Sequence, residues 1–214
     1  MNISSDILLW IIPILFAITV HEVAHGWVAN KLGDKTALML GRLTLNPFKH
    51  IDLVGTILVP LLAYTLGGFI FGWAKPVPVE MRNLRHPLRD MAVVAAAGPL
   101  ANLLMALIWA AFAKIGLILM QGGMVYFKIL YLMGQAGIAI NLMLLILNLI
   151  PIPPLDGGRV LTGILPPKIG MRYAAIEPFG LIIIVLLIIS GALMYVLERP
   201  YLVFQGMLYQ LFGI

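Results

Sequence analysis

Residues 7–25 read ILLWIIPILFAITVHEVAH: an uncharged apolar run, 7–20, continues without a break into His21-Glu22-Val23-Ala24-His25. In a helix, positions i and i+4 share a face one turn apart. Two imidazoles so placed can hold one zinc ion, and the glutamate between them can activate a water molecule. H-E-x-x-H alone is a weak signal, but its setting sharpens it. An ionisable side chain at membrane depth costs about 2.5–3.5 kcal/mol on insertion scales, so it marks a functional site by default. The alternative is that His21, Glu22 and His25 are polar anchors among lipid headgroups.

The rest of the chain supports a lipid solvent. Of 214 residues 62% are hydrophobic and 11% are charged, whereas soluble domains carry about 25% charged residues. Residues 53–74, 91–113, 131–150 and 179–197 contain no Asp, Glu, Lys or Arg. Each approaches the roughly 20 residues that cross a bilayer as a helix. There is no cysteine, which excludes disulfides and thiolate ligands. The N-terminus lacks a basic region before its apolar run and reads as a retained helix, not a cleaved leader.

Charge sets the expected orientation. The net charge of +5 comes from loops: all but three of the 14 Lys and Arg fall in three segments. The first holds Lys31, Lys35, Arg42 and Lys49; the second Lys75, Arg82, Arg85 and Arg89; the third Arg159, Lys168 and Arg172. The positive-inside rule places all three in the cytoplasm and the N-terminus outside. This explains the basic balance without nucleic acid, which is not expected as a partner. If residues 53–74 crossed the membrane, the first two basic loops would lie on opposite faces. The segment is therefore read as re-entrant, broken by Pro60 and by Gly67–Gly68. Irregular backbone at depth is tolerated only against protein or a water-filled cavity. Residues 41–45 and the proline-rich 73–79 read as extended on either side of it.

A catalytic zinc usually has three protein ligands and one open position. The other histidines, His50 and His86, lie in basic loops. The conspicuous acid is Asp156, in the stretch 148–158, NLIPIPPLDGG, directly after an uncharged run. With 53–74 re-entrant, the helix over 91–120 runs outward and that over 126–150 runs inward. Asp156 then arrives on the same side as His21 and His25. Its alternative role is that of a turn residue or helix cap before Gly157-Gly158.

Three stretches together give the chain a family likeness: H-E-V-A-H at 21–25, A-G-P-L-A-N at 97–102 and N-x-x-P-x-P-x-L-D-G at 148–157. It resembles the site-2 proteases, intramembrane zinc metalloproteases, in their compact form without a PDZ insertion or CBS domain. The resemblance implies one zinc per chain, held by His21, His25 and Asp156, with Glu22 as general base. It also implies an extended or sheet-like region between the first two conserved helices, here about 41–79.

Further expectations concern neighbouring polar groups. Asn102, just past Gly98-Pro99, is a candidate catalytic donor to an oxyanion, or else a helix-packing residue. Asn148, Pro151 and Pro153 are candidate substrate-binding residues on an unwound segment, or else a rigid turn that places Asp156. The fold expected is an all-α polytopic membrane protein of about five transmembrane helices. It has a re-entrant, β-containing segment, roughly 41–79, next to the active site, and a single domain over 1–214. The partners expected are transmembrane protein substrates and the lipid bilayer. The location expected is a prokaryotic plasma membrane, with the active site toward the cytoplasm. A metal-ion transporter also places His and Asp at depth, but it leaves Glu22 between the two histidines without a purpose.

Overall fold

The computed structural model describes residues 3–59, 61–62, 65 and 74–214. It is helical: α1 Ile3–Lys31, the short α2 Thr36–Met39, α3 Pro87–Gln121, α4 Lys128–Leu149, α5 Asp156–Ile164, α6 Pro167–Ala174, α7 Glu177–Ile189 and α8 Ala192–Phe212. Among the described residues there is no strand. The extended stretches 42–46 and 74–80 exist but pair with nothing as a ladder, so the expected β character is reduced to irregular extended backbone. Prolines 76 and 78 supply no N–H, which explains why 74–80 cannot continue one.

Among the described residues three helices are long and apolar enough to cross a membrane: Leu9–Lys31, Pro87–Gln121 and Val125–Leu149. Helices α6 and α7, bent by 60° at their junction, make a fourth if taken as one span. The uncharged run 179–197 is not one helix. It breaks at Gly191, whose φ of 74° lies in the left-handed region that favours glycine. α8 continues through Pro200 and packs on the bundle, with Leu208 buried and Tyr209 Oη donating to Gln135 Oε1.

Packing in the bundle follows membrane rules, with small residues inside and large ones outside. Ala17, Ala106, Ala110 and Ala113 are fully buried, while Phe16, Phe112 and Ile115 face outward. α3 and α4 form an antiparallel hairpin that turns at Gly122–Met124, with α1 against both. The C-terminal ends of α1 and α4 and the start of α3 therefore share one end of the bundle.

That end is tied together by a buried carboxylate. α1 stops at Gly33, with φ of 117°, where Asp34 N–H bonds back to Ala29 O. Asp34, with no solvent exposure, accepts from Thr36 N–H and Oγ1–H, Asn83 Nδ2–H and Glu80 N–H. Arg85 N–H donates to Leu32 O beside it. The two ends of 51–74 also meet, because Lys75 N–H donates to His50 O at 2.9 Å. Leu53–Leu58 begins that segment as a π-helical turn capped by Asp52. Pro60, Gly67 and Gly68, on which the re-entrant expectation rests, lie outside the described residues, as does Trp73 at the start of the expected extended stretch.

Candidate metal centre

His21 and His25 stand one turn apart on α1, their ring centroids 4.6 Å apart, both nearly buried. The third element is a tight turn between α4 and α5. Gly157 and Gly158 let it fold on itself: a Cβ on either would lie 2.3 Å from Leu149 O or Pro153 N. Gly180 on α7 lets that helix press against Pro153 O. Tyr173 Oη donates to Pro151 O. The turn delivers buried Asp156 to the two imidazoles, with Oδ2 3.2 Å from His21 Nε2 and 3.4 Å from His25 Nε2. The two Nε2 atoms are 3.0 Å apart.

Hydrogen bonds on the far side of each ring decide its tautomer. His25 Nδ1 lies 2.8 Å from Val94 O and His21 Nδ1 lies 2.6 Å from Asn102 Oδ1. Both partners only accept, so each Nδ1 carries the proton and donates. In the neutral rings the two Nε2 atoms are then bare. Three lone-pair-bearing atoms converge with no hydrogen among them, and Asp156 Oδ2 is buried with no donor. That arrangement is repulsive without a cation. Tetrahedral zinc with ligands about 2.0–2.1 Å away places those ligands about 3.3 Å apart. The observed 3.0, 3.2 and 3.4 Å fit such an ion, so the residues present suit zinc.

Glu22, between the histidines, is partly buried, and its Oε2 accepts the Val77 N–H at 2.7 Å. The 74–80 stretch thus lies against the site. Three of its N–H groups are already used, by His50 O, Glu22 and Asp34. Lys75 O and Pro76 O receive Arg42 Nη2.

The remaining candidates are distributed as follows. Asn102 is fully buried behind His21; its oxygen takes the His21 proton, and its Nδ2 donates to Ala17 O and Asn141 Oδ1. Both Nδ2 hydrogens are engaged in this arrangement. Asn148 Nδ2 bonds back to Leu144 O of its own helix. Pro151 is exposed and Pro153 is buried in the turn. His50 is buried with Nε2 bonded to Thr44 O, and His86 is exposed beside Asp90; neither joins the cluster. Among the described residues, His21, His25 and Asp156 form the one group able to hold a metal. Sequence reasoning missed Gly98, Val94 and Asn141. Gly98 was legible as part of the 97–102 motif, but the reason for it was not. A Cβ there would lie 2.4 Å from His25 Nε2 and 2.5 Å from His21 Cε1.

Known proteins resemble this chain over most of its length. Residues 9–125 match the model of peptidase family M50. The chain belongs to that family. It is 36% identical over 192 residues to "Putative zinc metalloprotease YwhC" of Bacillus subtilis, covering 87% of this chain and 83% of that one. It is 30% identical to "Putative zinc metalloprotease Rip2" of Mycolicibacterium smegmatis, covering 84% of this chain and 66% of that one. "Protease RseP" of Yersinia pestis is 29% identical over 123 residues, about half of this chain and 26% of its own. No solved structure matches. With its apolar helices, this M50 member is an integral membrane zinc metalloprotease.

Proposed function

We propose that this M50 peptidase hydrolyses peptide bonds in, or at the edge of, transmembrane segments of membrane-protein substrates, as in regulated intramembrane proteolysis. The observation that carries this reading is the convergence of His21, His25 and Asp156 on one point, with Glu22 on the same helix. His21 Nε2, His25 Nε2 and Asp156 Oδ2 would hold the ion. When bound, zinc acidifies a water molecule and polarises the scissile carbonyl.

The protein side of the reaction is proton handling and positioning. Glu22 takes the proton of the attacking water on its free oxygen and returns it to the leaving amine. Val77 N–H holds the other oxygen, which fixes the carboxylate in place. Asn102 and Val94 O keep both rings in the Nδ1–H form. A transmembrane helix hides its carbonyls in backbone bonds, so the substrate must unwind before it is cut. The 42–46 stretch, beside the site through Leu43 against Gly26, is the better candidate to receive it. The 74–80 stretch has fewer N–H groups to offer, with two prolines and three N–H groups already bonded. Tyr173 and Gly180 hold the turn of Pro151 and Pro153, which favours placement of Asp156 as its task. Asn148 spends one N–H on Leu144 O of its own helix, which leaves its second N–H and its oxygen to offer a substrate.

The topology that accompanies this reading has the N-terminus outside and the active site toward the cytoplasm, within one membrane domain over 1–214. The meeting of His50 with Lys75, and of Leu32 with Arg85, supports a 51–74 segment that returns to the face it left. The bacterial relatives support a prokaryotic plasma membrane. One experiment tests the function directly: fragments of membrane proteins are compared in cells carrying the wild-type chain or Glu22→Ala. Fragments ending inside transmembrane segments should depend on Glu22. Identical fragment sets, with both chains expressed and metal-loaded, would refute intramembrane proteolysis.

A further inference from the structure

The side chain that bonds His21 is itself held by another. Asn102 Nδ2 donates to Asn141 Oδ1 at 2.9 Å, and Asn141 Nδ2 donates to Gly137 O, one turn earlier in α4, at 2.8 Å. Both asparagines have no solvent exposure. A buried amide in an apolar bundle is costly unless all its bonds are made, and here they run in one line from α4 through α3 to the imidazole on α1.

The direction of this line is fixed by groups that cannot reverse. Gly137 O and Ala17 O are backbone carbonyls and only accept. Asn141 must therefore turn its NH2 to Gly137 and its oxygen to Asn102. Asn102 must then turn its NH2 to Asn141 and Ala17 and its oxygen to His21. His21 Nδ1 is left to donate, and its bare Nε2 faces Asp156.

We propose that Asn141 is a positioning residue of the metal centre: acting through Asn102, it fixes the tautomer of His21 so that an unprotonated Nε2 points at the ion. This rests on the reading of His21 as a ligand. Interhelical amide bonds also serve as packing glue in membranes. Glue needs no particular direction, and here the direction is dictated and ends on a ligand candidate. Outer groups of this kind typically contribute 10–100-fold to metal affinity. Ala17 O shares the task of orienting Asn102, so the lower end of that range applies to Asn141.

The chain has four histidines, which keeps a nitrogen spectrum of the imidazoles assignable. The full-length protein is purified in detergent as wild type, Asn141→Leu and Asn141→Ser. Leucine removes the bonds at similar volume. Serine can donate to Gly137 O across the same turn while offering its oxygen to Asn102. Zinc affinity is measured by chelator competition, and the His21 tautomer by nitrogen-15 shifts of the metal-free, histidine-labelled protein. Asn141→Leu should bind zinc about tenfold more weakly and show His21 partly protonated at Nε2. Asn141→Ser should recover part of both, with His50 and His86 unmoved. Wild-type affinity and shifts in Asn141→Leu would overturn the proposal. So would weakened zinc binding with an unchanged His21 tautomer, because that is the signature of packing alone. If Asn141→Leu does not fold, Asn141→Ser against wild type decides on the same two readings: a partial loss of both supports the relay, and wild-type values in both, or weak zinc binding with the wild-type tautomer, defeat it. Zinc retained by His21→Ala would instead refute the ligand assignment, and the metal-free tautomer would still report on the relay.

Discussion

Val77 N–H donates to Glu22 Oε2 at 2.7 Å across 55 residues of sequence. The bond joins the helix that carries both histidines to an irregular stretch, at a residue flanked by two prolines. Val77 packs close to Gly26, where a Cβ would lie 2.7 Å from Val77 Cγ1. The carboxylate is therefore oriented from outside its own helix, and the 74–80 stretch is part of the site as well as its border.

Glu22→Gln tests that carboxylate as the base. Glutamine keeps the shape, and its carbonyl oxygen can still accept Val77 N–H, but it cannot take a proton. Zinc content should remain at the wild-type level. Cleavage of a substrate found by the fragment comparison should fall by about 10²–10⁴-fold, the usual contribution of general acid–base catalysis. Undiminished cleavage would remove Glu22 from the chemistry.

Gly98 is the place where α3 must come nearest to the imidazoles. A methyl group there would overlap both His25 Nε2 and His21 Cε1, which are parts of nearly buried rings. Gly98→Ala should lose most of the zinc measured by metal analysis while the helical content is kept. Gly206 lies in α8 with nothing within 4 Å of a built Cβ, so Gly206→Ala should leave zinc binding untouched and stability equal or up to about 1 kcal/mol higher. Equal zinc loss in both variants would mean that Gly98 acts through general stability.

These positions show where sequence legibility ends. The convergence of His21, His25 and Asp156 was readable because ionisable residues at membrane depth have few bland explanations and because charge bias set the expected direction of the helices. Asn102 was visible as an anomaly, but its role was not, since that depends on which of its four hydrogen-bonding sites meet which helix. Asn141 sits within a long apolar run and gave no pattern at all. The run 179–197 was misread as one helix because hydropathy does not register a left-handed residue such as Gly191. The irregular 74–80 stretch was foreseen from its prolines, but strand pairing requires partners that no local signal specifies.

Asp34 predicts a pH dependence at the end of α1. Burial alone would raise the pKa of its carboxyl. The hydrogen bonds from Thr36, Asn83 and Glu80 outweigh this and hold it below the ordinary 3.8. A depressed folded-state value means stability that is complete above pH 3.8 and lost as the pH falls through the lower folded value. Asp34→Ala should destabilise the protein at pH 7 by about 1–3 kcal/mol, the cost of leaving buried donors unpaired. The difference from wild type should shrink in acid. A gap in thermal stability that is constant from pH 7 down to the acid limit of folding would argue against the charged form.

The last prediction concerns the path of 51–74, on which the shared face of His21, His25 and Asp156 depends. Lys75 bonds to His50, Arg85 to Leu32 and Glu80 to Asp34, so both ends of the segment meet at the end of the bundle where α1 stops. A segment that crossed the bilayer would have to separate those pairs by about 30 Å. The chain has no cysteine, so single cysteines report without background. Cysteines replacing Lys35 and Arg85 should both resist an impermeant thiol reagent applied to intact cells. One replacing Gly122, at the far end of the α3–α4 hairpin, should react. After permeabilisation, the position-35 and position-85 cysteines should react as well. Labelling at position 85 from outside, with position 35 protected, would mean that the segment spans, and a metal site built from His21, His25 and Asp156 could not survive that result.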